Sequence, residues 1–359
     1  VKIEEVYETA YQLLISENVD VVVRDAYLRY GDEASRIVEE AKKLVDRLLS
    51  EYGSREDVIN FIIMNFGSSI VDLITSRFPN FENVIPIVKY FNKNAHRPSP
   101  YQEVLCVVKV LELDLDIDSL IKIGVLMHVD ENSLVVPHYL STYDECSVDI
   151  ENILDLVSQD YAKLSIIESI VENVKPSREM FQILYGIDIE SPELYEVSRV
   201  MTYCEYTSSP ILNPCIDTHE LRRILHEFKQ ARARRLFRII EPGMGHVKYS
   251  KKIGALVSFI MLGPGEHGIL MFMPWIVPSR RVEKYYASSP RLIITSIPFR
   301  REFAEYFHNV LEDTKTFKNT AFIFIQEGVC YLVSPSRRSR TLDSLLDIIY
   351  RANLEVLEF

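Results

Sequence analysis

Near residue 250 the spacing of apolar residues changes its period, and no other feature constrains the fold as much. Upstream, apolar positions recur three and four apart. In 33–48, Ile37, Val38, Ala41, Leu44, Val45 and Leu48 form one stripe with charges opposite, the mark of an amphipathic helix. Downstream, apolar runs of strand length follow one another at 254–262, 269–277, 292–297, 321–326 and 329–333. Helical spacing persists there only at 299–312 and 341–352. The pattern predicts an α+β chain, a helical N-terminal region followed by a C-terminal mixed α/β domain. With 359 residues it is too long for one core and should divide into two or three domains. The expected divisions are a helical domain at 1–95, a helix plus β-hairpin element at 96–145, a helical linker domain at 146–240 ending in a long basic helix, and the α/β domain at 241–359.

Local signals fill in this outline. Ser54 followed by Asp57 reads as a helix start, and Pro79 as the end of the next helical stretch. NKNAHRPSP (92–100) and TSSPILNPC (207–215) read as loops, the second as a domain boundary. Asp217, with Glu220 three residues on, caps a helix running up to Pro242. The apolar stretch 253–278 is long enough to span a bilayer, but Gly263-Pro264-Gly265-Glu266-His267-Gly268 divides it. Two buried strands joined by a hairpin fit better than a membrane helix, and no membrane partner is expected. The same glycines spell the dinucleotide fingerprint, yet a strand follows them where that chemistry needs a helix N-terminus. No cofactor is expected. The acidic, helix-like N-terminus does not read as a signal peptide.

In 118–137 a short helix begun by Asp118 or Ser119 leads into two strands, VLMHV and SLVVP, which meet at Asp130-Glu131-Asn132. A helix running directly into a β-hairpin resembles the recognition helix and wing of a winged-helix domain. The resemblance implies contact with nucleic acid. Lys122 is the only basic residue of the helix and its hairpin, however, so a protein partner suits this element equally.

Charge is distributed unevenly. Residues 1–220 hold 18 Lys+Arg against 39 Asp+Glu, and residues 221–359 hold 22 against 13, within a net charge of −12. A basic half attracts a phosphate backbone and an acidic half repels it. The expected phosphate-contacting set begins on the long helix with Arg222, Arg223, Lys229, Arg232, Arg234, Arg235 and Arg238. It continues through Lys248, Lys251 and Lys252, then Arg280, Arg281 and Lys284 beside Tyr285, and ends with Arg337, Arg338 and Arg340. Cations with interleaved aromatics suit DNA or RNA. The competing reading is that these cations pair with the acidic half inside the fold. The leading expectation is a non-catalytic nucleic-acid-binding protein, with a basic protein partner for the acidic half as a further option.

The sharpest catalytic candidate is LELDLDID (111–118), where Leu and Ile alternate with Glu112, Asp114, Asp116 and Asp118. As a strand, it would present four carboxylates on one face, with Asp114 and Asp116 placed to hold Mg²⁺ for a nuclease or nucleotidyltransferase. The plainer alternative is a solvated acidic face ending in Asp118 as a helix cap. Cys204, Cys215, His219 and His226 match no zinc spacing, and no metal site is expected from them. The five cysteines, none in a CxxC pair, read as reduced, mostly buried thiols of a cytoplasmic protein. Scarce Gln beside plentiful Ile, Val, Tyr, Glu and Arg leans towards an archaeal or thermophilic source.

Overall fold

A computed structural model describes the chain except for residue 17 and residues 78–80, 114, 123, 138–139, 242–245, 280–285 and 287, and except for the side chains of 68–77 and 122. The molecule is an α+β protein with a helical N-terminal region and a C-terminal mixed sheet. It divides into two compact units that do not follow chain order. Unit 1 comprises Val1–Val148 and Ser198–Ile216; unit 2 comprises Asp149–Val197 and Asp217–Phe359.

Unit 1 opens with α1 (Ile3–Ile15), α2 (Val19–Tyr30), α3 (Ala34–Tyr52), α4 (Arg55–Arg77) and α5 (Ile85–Lys93). The predicted stripe on α3 is buried, and the helix stops where Gly53 takes a left-handed φ of 79° and returns its N–H to Leu49 O. Ser54 and Asp57 cap α4 as expected, with Asp57 N donating to Ser54 Oγ. Then come β1 (Ser99–Pro100), α6 (Tyr101–Leu111), α7 (Ile117–Lys122) and the hairpin of β2 (Met127–Asp130) and β3 (Ser133–Val135). These strands lie in the order β1-β3-β2. One apolar core joins them, including Tyr11, Ile62, Phe91, Val104, Leu120 and Leu134. The hairpin β4 (Met201–Cys204) and β5 (Ser209–Leu212) completes the unit, so 207–215 is not wholly the loop expected from its prolines.

Two sequence expectations fail here. The described residues of 111–118 form no strand. α6 ends at Leu111, Glu112 takes a left-handed φ of 51°, and α7 begins at Ile117. Leu113 and Leu115 pack against the core from this connection, so the alternation serves a helix–helix link instead of a pleated face. The cysteines are also not all reduced. Cys106 bonds Cys204, Cys146 bonds Cys215, and buried Cys330 is the free thiol. Their sequence separations of 98 and 69 residues carried no signal, because the partners meet only when 198–216 folds back onto unit 1. Reduced thiols therefore cannot serve as grounds for a cytoplasmic location. No helix of the described residues is long and apolar enough to cross a membrane.

Unit 2 contributes α8 (Ile150–Leu156), α9 (Tyr161–Val171) and α10 (Arg178–Tyr185), followed after the excursion into unit 1 by α11 (Thr218–Ile240). Asp217 caps α11 as its spacing predicts, accepting from the N–H groups of His219 and Glu220. Beyond it lie β6 (His246–Ser250), β7 (Ala255–Gly263), β8 (Glu266–Met273), β9 (Arg291–Thr295), α12 (Arg301–Tyr306), β10 (Thr320–Gln326), β11 (Val329–Val333), α13 (Arg340–Arg351) and β12 (Glu355–Glu358). Among the described residues, seven strands form one sheet in the order β12-β11-β10-β9-β8-β7-β6. β8, β9 and β10 run parallel at its centre, and antiparallel neighbours flank them. The 253–278 stretch is the predicted hairpin, turning at Pro264 and Gly265. Ala233, Leu236 and Ile240 of α11 and Leu342, Leu345 and Ile349 of α13 cover one face of the sheet. Phe303 and Phe307 pack on Phe322 of the other face.

Candidate nucleic-acid interface

The unit boundaries redraw the charge map. The acidic stretch 149–197 holds 11 Asp+Glu against 3 Lys+Arg and folds in the same unit as basic α11. Unit 2 as a whole holds 25 Lys+Arg against 26 Asp+Glu, while unit 1 holds 15 against 26. The excess of cations in the last 139 residues is thus matched within their own unit.

Part of α11's charge is spent on that matching. Lys229 is 1% exposed, and its Nζ donates to Glu168 Oε2 of α9 at 2.7 Å. The same carboxylate oxygen accepts the indole N–H of Trp275 at 2.6 Å, and Lys229 Nζ stands 4.9 Å from the Trp275 ring centre. Burial pushes the Lys229 ammonium below the usual lysine range, while the negative charge of Glu168 opposes that shift. Gly254 closes over the pair with a φ of 63°. A β-carbon there would lie 2.7 Å from both Glu168 Oε1 and Lys229 Nζ, so the approach needs glycine. One turn nearer the start of α11, buried His226 bridges Glu172 and the Tyr249 hydroxyl, and a further turn back Arg222 donates to Glu172 Oε1 at 3.0 Å. Arg232 donates to Ser158 O at 2.8 Å and stacks over Phe228. Arg223 forms an exposed pair with Glu227 one turn along the helix.

Arg234, Arg235 and Arg238 remain. They are exposed and make no ion pair among the described residues. Residues four apart on a helix have β-carbons about 5–6 Å apart, so Arg234 and Arg238 stand one above the other with Arg235 beside them. Three guanidinium groups on one face can grip successive phosphate oxygens as paired donors.

The other expected cations that are described sit elsewhere in the unit. Val247 and Tyr249 of β6 pack towards the α11 core, so alternation turns Lys248 to the opposite side of the sheet. Lys251 and Lys252 are exposed in the β6–β7 turn. Arg337 and Arg340 are exposed beyond β11, five strand spacings from β6, on the order of 24 Å away. Arg338 pairs with Glu358 and Asp343. Arg280, Arg281, Lys284 and Tyr285 lie outside the described residues, as does Asp114.

Asp116 acts as a cap, its Oδ1 accepting from Ser119 N at 2.8 Å at the start of α7. Glu112 pairs with Arg199 and Ser198, which hold its carboxyl below the usual range. Among the described residues, no three His, Cys, Asp or Glu side chains are grouped so that they could hold a metal ion. Cys204 and Cys215 are spent on different disulfides, so the zinc set does not assemble.

Sequence reading missed Glu168, Glu172, Tyr249 and Trp275, and considered His226 only as a zinc ligand. A signal was present: Glu168 is a lone carboxylate within LSIIESIV, and Lys229 falls on the apolar stripe Leu221-Leu225-Ala233. An isolated charge on an apolar stripe calls for a buried partner. Compared with known proteins, the chain matches no family model, no curated protein and no solved structure.

Proposed function

We propose that the protein binds nucleic acid, DNA or RNA, through phosphate contacts made by unit 2, without covalent chemistry. One observation carries this reading. In a unit that neutralises most of its own charge, Arg234, Arg235 and Arg238 are left exposed and unpaired, among the described residues, on one face of α11. Attraction to the helix C-terminus accounts for a cation in the last turn, which covers Arg238. It falls off before Arg234 and Arg235. Lys248, Lys251, Lys252, Arg337 and Arg340 would add separate backbone contacts, and a non-catalytic role suits an acidic segment whose Asp116 is occupied as a helix cap.

Two helices, α5 and α6, precede α7 and the β2–β3 hairpin, as a winged-helix reading of this element requires. Its carboxylates Asp118, Asp130 and Glu131 favour a protein partner over base readout. Two disulfides suit an oxidising compartment or the interior of a hyperthermophile, where intracellular disulfides persist. The Ile-, Glu- and Arg-rich composition favours the second, an archaeal-type cytoplasm.

The test is fluorescence polarisation of labelled single- and double-stranded DNA and RNA at two salt concentrations. Binding that is insensitive to sequence and weakens steeply with salt is expected. No binding to any of them at the lower salt would overturn the reading.

A further inference from the structure

Unit 1 contains a cleft of about 1390 Å³ between the first half of α4 and the β2–β3 hairpin. Sites for small molecules usually occupy about 300–1,000 Å³, so the cleft has room for a polypeptide segment. Its floor is apolar, with buried Ile63, Met127 and Val136. Two further apolar side chains stand open to solvent in it, Met64 at 85% and Val129 at 54% exposure. Exposed apolar groups that line a cleft mark an interaction surface more often than scattered ones do.

The rim is acidic. Glu56 and Asp57 at the start of α4 and Asp130 and Glu131 at the hairpin turn all line it, together with the imidazoles of His96 and His128 and with no Lys or Arg. The backbone N–H of Asn132 holds the Asp130 carboxyl below its usual range, so it is charged at neutral pH. Unit 1 as a whole is acidic, so its wider field favours the same sign of ligand. Phosphate would be repelled here, and a bare polycation would leave Met64 and Val129 in water.

We propose that this cleft docks a basic amphipathic segment of a partner protein, with apolar residues against Met64 and Val129 and Lys or Arg side chains at Glu56, Asp57, Asp130 and Glu131. Such a segment satisfies both halves of the surface: apolar burial supplies affinity, and the carboxylates supply register and attraction at long range. The inference is independent of the arginines of α11, which belong to the other unit.

The probe is a fluorescein-labelled Leu/Lys peptide of about 18 residues, five turns patterned as an amphipathic helix, titrated against the full chain. Its counterpart carries Glu at every Lys. The Lys peptide should bind with salt-sensitive affinity and the Glu peptide should not. Met64→Glu, at a mostly solvated position, and Glu56→Lys with Glu131→Lys should each weaken binding at least about tenfold. Asp32→Lys with Asp46→Lys, the same charge change on exposed sites of other elements, should alter it less than about twofold. Unaltered melting temperatures would confirm that the variants fold. The proposal is overturned if the Lys peptide does not bind, if both peptides bind alike, or if the control pair loses as much as the cleft pair. It is also overturned if Met64→Glu abolishes nucleic-acid binding or self-association instead, since the occupant would then be nucleic acid or a second copy.

Discussion

Glu168→Gln tests whether Lys229 is a buried structural cation. The substitution keeps the side-chain shape and an acceptor for the Trp275 indole, and removes only the charge facing Lys229. Leaving one member of a buried pair uncompensated costs about 3–5 kcal/mol. Glu172 supplies a second negative charge near Lys229, which places the expected loss near the lower figure, about 3 kcal/mol. Unit 2 has about 190 residues, for which 1 kcal/mol shifts Tm by about 2–4 °C, so the melting temperature should fall by about 6–12 °C. Trp275 is the only tryptophan of the chain, so its fluorescence reports directly on the unfolding of unit 2. The pH dependence has a defined sign. Burial already lowers the Lys229 pKa in the folded state, and losing the charge of Glu168 lowers it further. Between that value and about 10.4, the unfolded chain binds more protons than the folded one, so stability rises with pH across the window. The deficit of the variant should therefore be largest at pH 6 and shrink towards pH 10. Adding Lys229→Met should recover much of the loss at pH 6 and abolish the pH dependence. A single variant that melts within a degree of the parent at pH 6, or whose deficit ignores pH, would refute the assignment.

Three further outcomes follow from the geometry. Under non-reducing denaturation a thiol assay should find one reactive cysteine, Cys330, and after reduction five. Cys106→Ser with Cys204→Ser opens a loop of about a hundred residues and should cost up to about 4–5 kcal/mol by the chain-entropy account. Asp116→Ala should cost about 0.5–2 kcal/mol through loss of the α7 cap, and should remove no Mg²⁺-dependent activity on nucleic acid.

What could be read in advance depended on how local the signal was. The change of period near 250, the Asp217 cap and the Pro264-Gly265 hairpin are decided by neighbouring residues, and each appears where the sequence put it. The edge strands β6 and β12 escaped notice because HVKYS and EVLE are short and carry few apolar residues. The alternation in 111–118 misled because two leucines packing from a helix–helix link produce the same pattern as one face of a strand. Disulfide partners 98 and 69 residues apart were illegible for a different reason: the chain passes through unit 2 between them. The charge asymmetry suffered likewise. A line drawn at residue 220 separates Glu168 and Glu172 from Lys229 and Arg222, which the fold brings to 2.7 and 3.0 Å. Half of the expected basic helix is thereby structural, and only its last two turns remain for a ligand.

If those last turns bind phosphates as proposed, the salt slope of binding measures it directly. Each phosphate contact removed should lower the slope of log K against log salt by about 0.9 on duplex DNA. Arg234→Gln, Arg235→Gln and Arg238→Gln together should flatten it by about 2–3, weaken binding to every sequence alike, and leave the melting temperature within a few degrees of the parent. Arg232→Gln, which loses the Ser158 contact and the stack on Phe228, should do the reverse, lowering stability with little change in slope. A triple variant that binds with the parental slope, or a parent that shows no salt-dependent binding, would contradict phosphate binding by α11.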